Sequence, residues 1–289
     1  MDEKNGKGNL TIGFIGAGNM AEAMISALIR TGAFSPAQIL AGDINPERIE
    51  YIENTYKIRR VDDNRQIVSS CAIVVLAVKP QQMAGVLKDL VDSRAFDRVA
   101  DRLLVISIAA GLTIESFEKA IYSGKTDSEK RRMPIVRVMP NTPALVGAGM
   151  CAFSANTYAA PDDIQMTQKI LGAMGEVMYC DEMKMDAVTA MSGSGPAYCF
   201  YFIESMLEAG EKVGLSPEEA FQLTLSTCKG ALRLVEVQGE SPADLRRKVT
   251  SPGGTTEAAI RVFEDNRLKE IMISAVAAAA RRAGELGRS

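Results

Sequence analysis

Residues 72–78 (AIVVLAV) carry no polar side chain, and residues 103–108 (LLVISI) and 135–139 (IVRVM) nearly repeat the pattern. Runs this short and this apolar have no face to turn to water. They fit strands covered on both sides, as in a parallel sheet. An earlier apolar run, 10–15, ends in glycines. Residues 22–29 follow it, with Ala23, Met24, Ala27 and Leu28 forming a stripe at helical spacing. Residues 39–41 read as a second short strand. Asn45 then caps a helix whose first residue is Pro46. Two further strands are predicted at 150–153 and 176–180, flanking a helix at 162–174, while 124–132 (GKTDSEKRR) reads as a polar surface insertion. Strands alternating with helices imply a doubly wound parallel sheet with right-handed crossovers.

Past residue 181 the strand runs stop. Apolar residues recur every three or four positions through 200–213 and 217–237, and helices are also predicted at 242–248, 257–263 and 268–286. The expected architecture is α/β: a sheet domain at 1–182 and an all-helical domain at 183–289. A helical domain with so many apolar positions commonly buries them against a second copy, so a homo-oligomer is expected.

The chain has 289 residues and no histidine. That excludes Ser-His-Asp triads, Cys-His dyads and His metal ligands, and no metal site is expected. Chemistry must run on hydroxyls, carboxylates, lysines, water or a cofactor. The net charge of −3 and the lack of a basic cluster argue against nucleic acid. No apolar run is suited to span a bilayer. The five cysteines are scattered with no CxxC pair, as in reduced, cytoplasmic proteins. The tail at 1–9 has no apolar core, so it is read as a frayed end rather than a signal peptide.

Gly16-Ala17-Gly18-Asn19-Met20-Ala21 is a G-x-G-x-x-A motif between the first strand and the first helix. Gly16 permits the tight turn, Gly18 lets backbone approach a pyrophosphate on the helix N-terminus, and Ala21 allows close helix packing. Such a motif alone is weak. Its setting, with Asp43 closing the second strand, points to a Rossmann-type dinucleotide site. Asp43 can accept hydrogen bonds from a ribose 2′-hydroxyl and repels a 2′-phosphate, which leans towards NADH over NADPH. Arg48 lies nearby and reads as a solvated helix charge. Ala77, Val78, Lys79 and Pro80 end one strand, and Ala109, Ala110 and Gly111 end another. Ligands of open parallel sheets lie at strand carboxyl ends, so both segments are expected to line the cofactor cleft. The Ala-Ala-Gly stretch suits close approach to a flat ring, and Lys79 is a candidate carboxylate ligand.

Two glycine-rich segments fall in the helical half, where glycine is unfavourable. Ser192, Gly193, Ser194, Gly195, Pro196 and Ala197 precede a long helix, and amides at a helix start suit a substrate carboxylate. Residues 250–256 gather the hydroxyls of Thr250, Ser251, Thr255 and Thr256 around Pro252, Gly253 and Gly254. A helix cap would explain one of those hydroxyls.

The set of motifs resembles the pyrroline-5-carboxylate reductase family. The matching pieces are GFIGAGNMA at 13–21, AVKP at 77–80, AAG at 109–111, PNTP at 140–143, SGSGPAY at 192–198 and SPGGTTEAAI at 251–260, in the family's order. The last two are specific to the family; the first is shared by many dehydrogenases. The resemblance implies hydride transfer from NADH or NADPH to the C=N bond of a cyclic imino acid. It implies that the Thr256 hydroxyl bonds the ring nitrogen and that 192–197 receives the carboxylate. It places Ser251, Gly253, Gly254 and Thr255 at the substrate, and Asn64 and Asn141 at the cofactor, Asn64 near the adenosine ribose. It also implies dimers of intertwined helical domains, often built into decamers, with helices of a neighbouring subunit entering the site. The departures are the 124–132 insertion and Asp43, where many relatives carry a hydroxyl or another small polar residue. Two other readings compete. A β-hydroxyacid dehydrogenase-like enzyme would need a helical-domain lysine with a nearby asparagine, and the helix after 198 offers Lys212 without one. A non-catalytic NAD(P) sensor would not need the 250–256 hydroxyls.

Overall fold

The computed structural model describes residues 10–99 and 101–287, so the tail at 1–9 lies outside the described residues. An eight-stranded sheet is built from β1 (Ile12–Ile15), β2 (Ile39–Gly42), β3 (Arg59–Arg60), β4 (Ile73–Leu76), β5 (Leu104–Ser107), β6 (Ile135–Met139), β7 (Gly149–Ala155) and β8 (Gly175–Tyr179), in spatial order β3-β2-β1-β4-β5-β6-β7-β8. Every residue of β1, β2, β4 and β5 is buried. Helices cover both faces. Phe14, Ile39, Val75 and Ile106 point into one apolar core, while Ile15, Leu40, Val74 and Val105 point into the other. This is the period-2 alternation of a sheet buried on both sides.

The helices beside the sheet are α1 (Asn19–Arg30), α2 (Pro46–Tyr56), α3 (Asn64–Ser70), α4 (Pro80–Asp92), α5 (Ile114–Ile121), α6 (Asp127–Arg131), α7 (Pro161–Gly172) and α8 (Met185–Val188). Asn45 caps α2 through its side chain, with Pro46 first in the helix, as its sequence signal indicates. The polar insertion is not a bare loop. It holds α6, started by a Thr126–Glu129 capping box.

One pairing departs from an all-parallel sheet: β6 and β7 run antiparallel. The link between them is a short 3-10 turn, Thr142–Val146, too short for a crossover helix, so the chain must double back.

A π-helical turn, Thr189–Gly193, joins α8 to α9 (Gly195–Lys212); α10 (Pro217–Gln238), α11 (Pro242–Lys248), α12 (Thr255–Asp265) and α13 (Leu268–Leu286) follow. Contacts divide the chain into two compact units. One runs to Ser194 and includes 279 onward; the other is Gly195–Ala278. The sequence switches to helices at 182/183. However, Met185 and Val188 pack beside Ala152 of β7, which keeps α8 with the sheet. The second unit leaves many large apolar side chains exposed, among them Phe200, Tyr201, Phe221, Leu232, Ile271 and Ile273. Patches of that kind mark association surfaces. No helix among the described residues is long and apolar enough to cross a membrane.

Candidate functional site

The chain runs outward from β1 to β2 and β3, then returns to β4 on the other side of β1. This reversal opens a crevice at the carboxyl ends of β1 and β4. Register aligns Ile15 with Gly42 on one side and with Leu76 on the other. The Gly16 amide donates to the Gly42 carbonyl (2.8 Å), and the Ala77 amide donates to the Ile15 carbonyl (2.8 Å). Gly16 has φ +95°, and a Cβ on it would stand 2.9 Å from the Ala77 carbonyl carbon and the Val78 nitrogen. The glycine turn and the Ala77–Val78 segment therefore touch, backbone to backbone. Nothing lies within 4 Å of where a Gly18 Cβ would be, and α1 starts at Asn19 without a side-chain cap. Its first-turn amides are free to face an anion, so these residues fit a dinucleotide pyrophosphate. Ala21 is buried, while Met20 packs at the edge of the core.

Asp43 turns back onto this loop. Its Oδ2 accepts from the Ala17 amide (2.7 Å) and its Oδ1 from the Asn45 amide (2.9 Å). Asn64, first residue of α3, places its Oδ1 3.3 Å from where a Gly42 Cβ would stand, at the same edge. Arg48 is not a solvated helix charge. Its Nε donates to the Ala17 carbonyl (2.7 Å), its guanidinium pairs with Glu22 (2.5 Å), and it lies over the Tyr51 ring. Glu22 also accepts from the hydroxyls of Tyr56 (2.9 Å) and Tyr51 (3.3 Å). Burial alone would raise the Glu22 pKa. The hydrogen bonds from Arg48, Tyr56 and Tyr51, with the Arg48 charge, outweigh it and hold the carboxyl below the usual glutamate value. Nothing in the sequence pairs Glu22 with Arg48; the sheet order does.

Pro80 opens α4, and Lys79, its N-cap, is exposed. The Ala109 amide donates to Ser107 Oγ (3.3 Å). Gly111, at φ +83°, is approached by the chain's own last turn: a Cβ there would stand 3.2 Å from Leu286 Cβ. That contact was invisible in the sequence. A groove of about 610 Å³ between α4 and α5 reaches Pro80 and Ala110. Its walls, including Met83, Leu87, Leu112 and Phe117, are mostly apolar.

Residues 192–197 are not an open loop. The π turn runs into α9 almost without a break, and the Ser194 amide donates to the Thr189 carbonyl (2.8 Å). Single π turns recur at functional sites. Ser192 Oγ donates to the Met150 carbonyl (3.1 Å). Asn141 accepts from the Met150 amide (2.9 Å) and donates to Ser192 Oγ (3.3 Å), which anchors the π turn to β7. Asn141 thus ties the segment down through both ends of its amide. Tyr198 next to the segment has a buried hydroxyl with no hydrogen-bond partner among the described residues.

Arg137, 4% exposed on β6, donates to Glu182 (3.1 Å) and lies 3.6 Å from Asp186 of α8; Glu182 also accepts from the Ile114 amide at the start of α5 (2.7 Å). Removing the guanidinium strands this network. Arg137→Ala is expected to lower stability by about 2 kcal/mol in urea denaturation, the scale of a charged hydrogen bond lost at a buried site. An unchanged midpoint would show that the network carries no stability.

In the helical unit, Ser251–Gly254 closes a tight turn: the Gly254 amide donates to the Ser251 carbonyl (3.0 Å), and Gly253 has φ +72°. Proline at the second position and positive-φ glycine at the third are the marks of a type II turn. The Gly253 amide donates to Glu257 (2.8 Å). Gly254 caps α12, so Thr255 and Thr256 occupy its first two positions and neither is the cap. Thr250 Oγ1 is already committed to the Arg246 carbonyl (2.7 Å). Thr256 is half-buried, while Ser251 and Thr255 are exposed.

Comparison with known proteins matches residues 182–286 to the family "Pyrroline-5-carboxylate reductase dimerisation" and residues 11–111 to "NADP oxidoreductase coenzyme F420-dependent". The pyrroline-5-carboxylate reductase of Synechocystis sp. is 40% identical over 280 residues, covering 97% of this chain and 99% of its own length. That of Pseudomonas aeruginosa is 41% identical over 276 residues, with 95% and 96% covered. Among solved structures, a pyrroline-5-carboxylate reductase from Coxiella burnetii superposes with a TM-score of 0.85 at 37% identity, covering 98% of this chain and all (100%) of its own. The Plasmodium falciparum pyrroline carboxylate reductase, solved with NADP bound, gives a TM-score of 0.85 at 30% identity, with 98% and 100% covered.

Proposed function

Because this chain belongs to the pyrroline-5-carboxylate reductase family, we propose that it reduces the C=N bond of 1-pyrroline-5-carboxylate to give L-proline. It is an NAD(P)-dependent oxidoreductase. The observation that carries the reading is the Gly16 turn seated on the Ala77–Val78 backbone at the β1/β4 reversal, beside an uncapped helix start.

Reduced nicotinamide supplies the hydride when bound; the chain supplies placement. Gly16 to Met20 hold the pyrophosphate. Asp43 and Asn64 take the adenosine ribose, and Ala77 to Pro80 with Ala109 to Gly111 line the rest of the cofactor. The 192–197 segment takes the substrate carboxylate, with the unpartnered Tyr198 hydroxyl as a further donor. Ser251, Gly253, Gly254 and Thr255 shape the turn that presents Thr256, whose hydroxyl orients the ring nitrogen. With no histidine in the chain, the imine arrives protonated or takes its proton from water. A protonated imine carbon is the better hydride acceptor.

The exposed apolar side chains of the helical unit support a homodimer, in which helices of the second copy supply part of the substrate site. Assembly of dimers into a decamer is part of the same reading and is checked by mass in solution. Five unpaired cysteines support a reducing, cytoplasmic setting.

The test is NADH and NADPH oxidation with pyrroline-5-carboxylate as acceptor, with proline identified as product. Imine-dependent oxidation is expected. Its absence with both cofactors, alongside activity on a 3-hydroxy acid, would replace this reading with the hydroxyacid one.

A further inference from the structure

The edge of the crevice at the end of β2 is built from two linked pieces. Asp43 sits on the Ala17 amide, and Arg48 sits on the Ala17 carbonyl. The two side chains thus hold one residue of the glycine turn, Ala17, by its amide and by its carbonyl. Asp43 directly follows β2, the strand end at which a Rossmann-type site meets the adenosine ribose. An enzyme that takes a 2′-phosphate there needs a free cation, normally an arginine whose planar donors can grip phosphate oxygens.

Arg48 is the cation that α2 brings to this edge, and it is spoken for. Glu22 holds its guanidinium in a pair whose side chains are only 23% and 18% exposed, and the hydroxyls of Tyr56 and Tyr51 fix Glu22 in turn. Swinging Arg48 out to a phosphate would strip a mostly buried carboxylate of its counter-charge. The nearby arginines that follow are matched too: Arg60 pairs with Asp62 and Arg65 with Asp63. Asp43 after β2, and Asp62 and Asp63 after β3, put carboxylates at these strand ends.

Resting on the dinucleotide-binding reading above, we propose that this protein selects NADH over NADPH, with Asp43 as the discriminating residue and Glu22 as a latch that keeps Arg48 from a 2′-phosphate. Glu22 acts through Arg48 and is a positioning residue.

The test is calorimetric titration of the full chain with NADH and NADPH, which reads binding without turnover. NADH is expected to bind about tenfold tighter or more, the scale of an unpaired charge repulsion at a partly buried site. The preference should shrink as salt rises, because exposed parts of the repulsion are screened. Asp43→Ser should bring the two affinities close by strengthening NADPH binding. Glu22→Gln should shift the ratio several-fold towards NADPH, and adding Arg48→Ala should cancel that gain.

Equal or tighter NADPH binding by the unsubstituted protein would overturn the proposal. An unchanged ratio in Glu22→Gln, with Asp43→Ser still relaxing selectivity, would overturn the latch. A NADH preference without imine reduction would instead sink the assigned reaction and leave the selectivity standing. Binding of neither dinucleotide would defeat both.

Discussion

Thr256→Ala is expected to lower imine-dependent turnover about 10²-fold while leaving NAD(P)H affinity nearly unchanged, the effect of one positioned polar contact removed from the reacting centre. The hydroxyl stands on a rigid base. The Ser251–Gly254 turn, with Gly253 at φ +72°, delivers the chain into α12, and Thr256 is its second residue. Thr250, six residues earlier in the same hydroxyl cluster, is a built-in contrast because its Oγ1 already back-bonds to Arg246. Thr250→Ala should therefore change turnover little. Thr256→Ser, which keeps the hydroxyl, should retain most of the activity. Steady-state kinetics with a separate cofactor titration checks all three. Wild-type turnover in Thr256→Ala would remove this residue from the mechanism.

Gly16→Val is expected to abolish measurable dinucleotide binding and to destabilise the sheet unit. Two effects add. A β-branched residue at φ +95° is strained by roughly 1–3 kcal/mol. Its Cβ would also meet the Ala77 and Val78 backbone at 2.9 Å, where no flexible side chain can give way. The turn must then shift away from β4, and the first-turn amides of α1 shift with it. Gly18→Ala makes the informative comparison. Its Cβ would meet nothing within 4 Å in the protein, so it should fold normally and lose cofactor affinity only. Calorimetric titration and thermal melting separate the two outcomes. A Gly16→Val protein that bound cofactor normally would contradict the role given to this turn.

Local patterns exposed much of this architecture. The apolar runs at 72–78, 103–108 and 135–139 became β4, β5 and β6, because a stretch without polar side chains has only a doubly covered strand as a stable home. The caps at Asn45 and Pro46 were legible for the same reason: they act within one turn of chain. Short, exposed β3 was not legible, because Arg59 and Arg60 carry no strand signal and form a strand only by pairing with β2. The 192–197 segment reads from its glycines only as the approach to a long helix. Its π turn is held by Asn141, just past β6, and by Met150 on β7, 51 and 42 residues from Ser192, which no local window contains.

The sequence alone determined the class of the sheet, the position of the glycine turn after β1 and the residue types available for chemistry, including the absence of histidine. Each of these is a property of neighbouring residues or of composition. The tertiary structure decided that Glu22 captures Arg48, that Glu182 ties β6 to the start of α5, and that the chain's last turn backs Gly111. Those contacts join residues far apart in the chain, and only the order in which strands hydrogen-bond brings them within reach.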